Sequence, residues 1–261
     1  MLFRSRKTLV LSDIHSNIGA LRAVIRDAFT TFRPDVVAVA GDIIGYGPDP
    51  RRVIQTLRRG VPRLGATLVA VDGNHDREGR DKELPCEMHS DAARCLQLNR
   101  DELNSSDIAF LRGLADRARV GDFTVTHDPL EMYVEYPHEA RAVLEYISTP
   151  HAIVGHTHLP GYFEATVDDG EDLLRVSDFI PLLDGAELIL EAGKRYVLNP
   201  GSVGQPRNGD PRAAYLVITE HADGTTVVQA RRVAYDVAAT QSKMRDRGYP
   251  VRMITRLARG C

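Results

Sequence analysis

Eight side chains whose lone pairs suit a hard or borderline cation fall into five short clusters: Asp13, His15, Asp42, Asn74, His75, His127, His156 and His158. Oxygen and imidazole donors without a thiolate fit Mn²⁺, Fe or Zn²⁺ better than a soft metal. In Asp13-Ile14-His15 and His156-Thr157-His158 the donors stand two residues apart, a spacing that on an extended strand end points both side chains to one side. Seven ligands are too many for one tetrahedral ion, but they suit two ions ~3.5 to 4 Å apart that share a carboxylate. Asp42 is the candidate bridge. A lone histidine at a strand end, or Gly-Asp after a strand, is ordinarily structural. All five clusters nonetheless follow strand-like runs, which together point to a metal centre.

Those runs define the elements that must position the clusters. Thr8 to Leu11 is a short β-prone run, and Ile18, Leu21, Val24, Ile25, Ala28 and Phe29 then recur at helical spacing up to Pro34. Val36 to Ala40 is continuously apolar, as strands covered on both faces are. A Gly- and Pro-rich loop from Gly41 to Pro50, a short helix around Val53, Ile54 and Leu57, and a strand at Leu68 to Val71 complete an alternating βαβ pattern. Loops beyond the carboxyl ends of parallel strands are where ligands bind, so the clusters are expected to converge.

Residues 87–114 read as a helical insertion with a cap at Asn104 to Asp107. A strand at Phe123 to Thr126 ends at His127, a helix is expected over Glu139 to Ile147, and a strand at Ala152 to Val154 ends at Gly155-His156-Thr157-His158. The β-prone runs at Tyr162 to Val167, Tyr196 to Leu198, Ala214 to Thr219 and Thr225 to Arg231 suggest a second, more antiparallel sheet in the second half. Asp168 to Asp172 reads as a solvated hairpin tip. Residues 236–259 read as a helical tail interrupted at Gly248-Tyr249-Pro250. No repeat or linker divides the chain, so residues 1–261 are expected to form one domain.

Composition sets the outer bounds. With 261 residues, 43% hydrophobic and 26% charged, the chain is an ordinary globular protein with ample core. Its 33 basic and 36 acidic side chains leave a formal charge of −3, so no general nucleic-acid binding is expected. No run approaches the ~18 apolar residues of a membrane span, and the basic Phe3 to Lys7 segment lacks the apolar core of an export signal. Cys86, Cys95 and Cys261 include no Cys-x-x-Cys pair, which suits free thiols in a reducing cytoplasm. His89, His138, His151 and His221 fall outside the clusters and read as structural or surface residues.

The order D-x-H, G-D, G-N-H-D, H and G-H-x-H resembles the calcineurin-like metallophosphoesterases over Leu9 to about Val217. The phrases Ser12 to Asn17, Gly41 to Pro48 and Asn199 to Pro206 are similar to those of its small prokaryotic phosphodiesterase branch. The resemblance implies an α/β fold of two packed mixed β-sheets flanked by helices, with two divalent ions, Mn first and Fe, Zn, Ni or Co as alternatives. It also implies that Asp13, His15 and His158 hold one ion, that Asn74, His127 and His156 hold the other, and that Asp42 bridges them. His75 is then left to face substrate. Two departures stand out: Asp128-Pro129 follows His127 where many relatives have glycine, which could add a carboxylate near the site. Gly41-Asp42-Ile43-Ile44-Gly45-Tyr46-Gly47 also lacks the Asp-Arg pair of the protein phosphatase branch.

The expected activity is hydrolysis of a small phosphate ester, foremost a phosphodiester, with nucleotide esters among the candidates, by in-line attack of metal-bridging hydroxide. His75 would assist the leaving group as general acid or hydrogen-bond donor. Asp76 would orient His75 or cap a helix. Tyr46 would stack on substrate or pack over its Gly-Pro turn, and Arg207 or Arg212 would clamp phosphate or be solvated. The alternatives are a phosphomonoesterase or protein phosphatase on the same site, or a non-catalytic scaffold.

Overall fold

The structure, a computed structural model, describes residues 5–81, 90–168 and 171–261. Cys86, His89 and the tip of the expected acidic turn lie outside the described residues. In chain order the strands are β1 (Arg6–Leu11), β2 (Val36–Ala40), β3 (Thr67–Val71), β4 (Arg117–Val120), β5 (Phe123–Thr126), β6 (His151–Ile153), β7 (Pro160–Asp168), β8 (Glu171–Val176), β9 (Ile180–Pro181), β10 (Glu187–Leu190), β11 (Arg195–Pro200), β12 (Ala213–Glu220) and β13 (Thr226–Val233). The helices are α1 (Ile18–Thr31), α2 (Pro50–Gln55), α3 (Val61–Arg63), α4 (Asn74–Arg80), α5 (Ser90–Glu102), α6 (Ser105–Arg112), α7 (Pro137–Tyr146), α8 (Val237–Asp246) and α9 (Val251–Arg256).

Two mixed sheets pack face to face with helices outside both. One has the order β10-β13-β12-β1-β2-β3; the other has β4-β5-β6-β11-β7-β8, with β9 beside β7. The period-2 rule shows why the apolar strands need two covers. In β1, Leu9 and Leu11 join the core under α1 and α2 while Val10 faces the space between the sheets, and in β2 Val37 and Val39 separate from Val36, Ala38 and Ala40 in the same way. Beyond the other sheet, Ala152, Val154, Phe163 and Val197 pack on Ala140, Val143 and Leu144 of α7.

Local signals place several helix ends. The Asn17 side chain accepts from Ala20 N–H at 3.1 Å to start α1. Asn104 and Asp107 exchange hydrogen bonds of 2.9 and 3.2 Å in a capping box that opens α6. The helices in the described part of the expected insertion are α5 and α6, and the tail breaks between α8 and α9 at Gly248, in the left-handed region with φ +70°.

One expectation is corrected. The strands of the second half do not form a separate antiparallel sheet: β12 pairs antiparallel with β1, carrying β13 and β10 into the first sheet, while β11 lies parallel to β6. β12, buried from Ala213 to Thr219, satisfies the free edge of β1 in the middle of the molecule. A β-prone run does not specify which edge it will pair. Among the described residues, no helix is long and apolar enough to cross a membrane.

Candidate metal centre

All five clusters meet at one end of the two sheets. The loop after β1 is tied to the loop after β2 by three backbone hydrogen bonds: Asp13 N–H to Gly41 O at 3.1 Å, His15 N–H to Asp42 O at 2.9 Å and Ser16 N–H to Ile43 O at 2.9 Å. Asp13, His15, Asp42, His156 and His158 all have positive φ, between 45° and 72°. The strand-end reading of the two-residue spacing therefore fails: these donors leave their strands in left-handed turns and not on extended backbone. Asp13 and His15 do reach the same place, with His158, whereas His156 turns to Asp42 and His127. Residues held in this region carry strain that the surroundings must offset, as is common at functional sites.

Two glycines make the close approach feasible. Gly41 has φ +75°, and a Cβ there would stand 2.6 Å from Cβ of His127; a Cβ on Gly73 would stand 2.2 Å from Asp42 Oδ1. Asn74, His75 and Asp76 form the first turn of α4 instead of a loop, and His75 N–H donates to Asp42 Oδ1 at 2.9 Å.

Hydrogen bonding fixes the imidazole orientations. His15 Nδ1 donates to Ile44 O at 3.0 Å, His127 Nδ1 to Ala40 O at 2.8 Å and His158 Nδ1 to Gln205 O at 2.6 Å. A carbonyl can only accept, so each Nδ1 carries a proton and Nε2 is the ring nitrogen that a cation would use. Those Nε2 atoms converge on the carboxylates: His158 lies 3.0 Å and His15 3.6 Å from Asp13 Oδ1, while His15 lies 3.6 Å and His127 3.3 Å from Asp42 Oδ2. The Nε2 atoms of His15 and His158 are themselves 3.2 Å apart.

The donor set fits metal ions on a further observation. Asp13 Oδ1, Asn74 Oδ1 and His127 Nε2 are buried without a hydrogen-bond partner. Leaving such atoms unsatisfied is costly unless a cation completes them. The other oxygen of Asp13 is engaged, accepting from Ser12 Oγ at 2.7 Å and from His156 N–H at 3.2 Å, so Oδ1 is the one left over. Three groups have ligand atoms mutually within 4.8 Å: Asp13, His15 and His158; Asp42, His127 and His156; and His15, Asp42 and His75. Asp42 and His15 each belong to two groups.

The electrostatics follow from burial and these pairs. Burial alone would raise the Asp42 carboxyl, but His127, His75 and His15 hold it far below the usual carboxylate range. Burial would likewise lower His127, yet Asp42 pushes it up to about 10. His158 falls to about 4 and His75 to about 3, in both cases first through burial. His75 packs edge-on to His15 at a ring separation of 5.1 Å and against Tyr46 at 4.6 Å.

Several residues around the centre take roles that separate the sequence alternatives. Asp76 accepts from Gly73, Ile43 and Ile44 N–H at 3.0 to 3.1 Å, so it ties α4 to the Asp42 loop and is no orienting partner of His75. Asp128 is taken by Arg77, which also pairs with Asp72 at 3.1 Å, so it adds no free carboxylate to the centre. Arg212 is bound by Asp210 at 2.7 Å and Asp184 at 2.6 Å and clamps nothing at the site. Tyr46 sits over the centre, 4.6 Å from the His15 ring, and Arg207 shares a pocket with it. His138, His151 and His221 lie elsewhere: His138 by Glu139, His151 accepting from Tyr196 N–H, and His221 beside Ser5.

Sequence reasoning missed one support and one neighbour, and it marked a second support without assigning it a role. Buried Asn99 accepts from Ser16 Oγ at 2.5 Å and Gly45 N–H at 2.9 Å, and it donates to Gly47 O at 2.8 Å and Tyr249 Oη at 2.9 Å. Tyr249 donates onward to Gly47 O at 3.0 Å, so α5 and the tail together hold the Gly45-Tyr46-Gly47 loop. An asparagine in an amphipathic helix gives no local sign of this. The phrase Asn199 to Pro206 is the second support: Asn199 donates to Gly155 O and Thr157 Oγ1 at 2.9 and 3.0 Å, and Ser202 donates to Asp13 O at 2.8 Å. Glu78, a turn beyond Asn74, has its carboxyl pushed up to about 7 by burial and then by Asp42. Its helical spacing from Asn74 was the available signal.

A family model of the calcineurin-like phosphoesterase superfamily domain matches residues 7–223. The chain is similar to a metallophosphoesterase from Sphaerobacter thermophilus of solved structure, with 34% identity, coverage of 99% of this chain and 100% of that one, and a TM-score of 0.80. An uncharacterized protein from Methanocaldococcus jannaschii is 26% identical over 245 residues, 90% of each chain. A hypothetical protein from Pyrococcus horikoshii shares the fold, with a TM-score of 0.74 at 16% identity and 98% coverage of both chains.

Proposed function

The chain belongs to the calcineurin-like phosphoesterase superfamily, and from that premise we propose that it is a phosphodiesterase with a dinuclear metal centre. Asp13, His15 and His158 would hold one ion, Asn74, His127 and His156 the other, and Asp42 would bridge them. The observation that carries this reading is the position of Asp42 Oδ2, 3.6 Å from His15 Nε2 on one side and 3.3 Å from His127 Nε2 on the other. When bound, two divalent ions supply an activated water and screening of the phosphoryl oxygens. Manganese is the first candidate for this oxygen- and imidazole-rich set.

The chain's own residues do the rest. The Nδ1–carbonyl bonds of His15, His127 and His158 fix their rings before any ligand arrives, so little reorganisation is needed on binding. His75, buried and neutral beside the centre, donates a hydrogen bond to the leaving oxygen as its charge develops. Tyr46 covers the leaving group, with Arg207 beside it. A diester carries one negative charge and a second organic group, and a small-residue loop with one aromatic face suits that better than an Asp-Arg pair does. Within this reading the substrate is a small phosphate ester and the chain acts as one cytoplasmic domain.

A second reading rests on the group His15, Asp42 and His75, in which His75 is a ligand and not a leaving-group donor. The substrate assignment is tested with a matched aryl phosphodiester and monoester assayed at one pH and one Mn²⁺ concentration. A higher kcat/KM for the diester is expected, and a clear monoester preference sinks the diesterase assignment. Absence of metal-dependent hydrolysis of either would remove the enzymatic reading.

A further inference from the structure

Beyond Tyr46 the molecule has a pocket of about 230 Å³, whose lining includes Tyr46, Tyr133, Arg207, Arg252, Met253 and Arg256. None of the seven proposed ligands lines it, yet it begins where the metal centre ends. The Tyr46 ring lies 4.6 Å from those of His15 and His75, and the Tyr133 ring 3.8 Å from that of His156.

Three guanidiniums converge on this pocket without a carboxylate side chain paired to any of them among the described residues. Several partly buried arginines elsewhere are paired with carboxylates: Arg77 and Arg80 with Asp72, Arg51 with Asp107 and Arg212 with Asp184. Arg207 reaches only Gln205 Oε1 at 3.4 Å and leaves its buried Nε unpartnered, and Arg252 has no carboxylate partner among the described residues, while Arg256 meets the main-chain oxygen of Cys261, the final residue of the sequence, and Met253 Sδ at 3.8 Å. Burial and the neighbouring Arg207 charge lower the Arg256 pKa from its ordinary value. Like charges held together are stabilised when an anion enters, and the planar guanidinium fork matches phosphate oxygens in pairs.

The platform is rigid. Met253, Ile254 and Leu257 are buried with Tyr249, Met244 and Cys95, and Gln241 Nε2 donates to Ile254 O at 2.7 Å. Lys243 pairs with buried Asp49 at 2.8 Å, fixing α8 to the start of α2. The arginines of α9 are therefore presented by a packed element.

We propose that Arg207, Arg252 and Arg256 form a second anion subsite, which selects phosphate esters bearing a further phosphate on their organic arm. This rests on the phosphoesterase reading, and it adds that the substrate carries two phosphates, one at the metal centre and one across Tyr46. The test is calorimetric binding to the Mn²⁺-loaded protein of two matched pairs: adenosine 3′,5′-bisphosphate against adenosine 5′-monophosphate, and glucose 1,6-bisphosphate against glucose 6-phosphate. In at least one pair the bisphosphate should bind about tenfold tighter. The ratio should fall to within about twofold in a protein carrying Arg252→Gln and Arg256→Met, replacements that keep the packing of α9. Equal affinities in both pairs, or a preference that survives both substitutions, would overturn the subsite. Because the readout is binding and not turnover, that result leaves the hydrolysis assay to judge the phosphoesterase reading separately.

Discussion

His127 turns an unpartnered Nε2 to within 3.3 Å of Asp42 Oδ2 while its Nδ1 donates to Ala40 O. The same oxygen of Asp42 faces His15 Nε2. One carboxylate therefore stands between two sets of nitrogen donors, and the proposed chemistry depends on that placement.

Metal content tests it first. The purified protein should bind two divalent ions, and Asp42→Ala should weaken both sites together, as read by elemental analysis after dialysis. Retention of two ions by that variant would remove the bridge. Chelation should abolish hydrolysis, with recovery on adding Mn²⁺.

His75 separates the two readings of its ring. If it assists the leaving group, His75→Ala keeps both ions and loses ~10²-fold or more in kcat, least for esters with good leaving groups. Loss of an ion in this variant would make His75 a ligand.

The Tyr46 loop hangs on Asn99. Asn99→Ala strands the Gly45 N–H and Ser16 Oγ in a buried place, and about 3 kcal/mol of stability should be lost in denaturant unfolding. Tyr249→Phe leaves Gly47 O with its Asn99 donor but strands one Asn99 N–H, and should cost less, about 2 kcal/mol. A neutral result for Asn99→Ala would show that the loop holds itself.

Arg212, a candidate clamp by sequence, is bound to Asp210 and Asp184 and should be dispensable for hydrolysis. Arg212→Ala should leave kcat/KM as it is and lower stability by less than ~1 kcal/mol, because both groups are partly exposed. Arg212 lowers the Asp210 pKa, so the pair's contribution is present above the ordinary value of 3.8 and fades as pH falls through the lowered one. The stability gap between wild type and variant should therefore close in acid, and a gap that widens there would contradict the pairing.

How far the sequence reaches is visible in particular residues. The strand-helix alternation from Thr8 to Val71, the Asn104 cap and the positions of the five clusters were legible, because periodicity, capping and strand-end chemistry are decided within a few neighbouring residues. The donor types also pointed to a metal-binding set without a thiolate. What stayed hidden depends on partners far along the chain. Asn99 meets Tyr249 from 150 positions away, His158 meets Asp13, and β12 completes the edge of β1. The left-handed turns at Asp13, His15, Asp42, His156 and His158 contradict the extended geometry their spacing suggested. Only the assembled core can hold such conformations, since the strain in each must be offset by hydrogen bonds and packing contributed by other elements. Tertiary structure likewise decided that Arg212 meets two carboxylate side chains while Arg207 and Arg252 meet none among the described residues, because an arginine's role depends on whether folding brings a carboxylate to it.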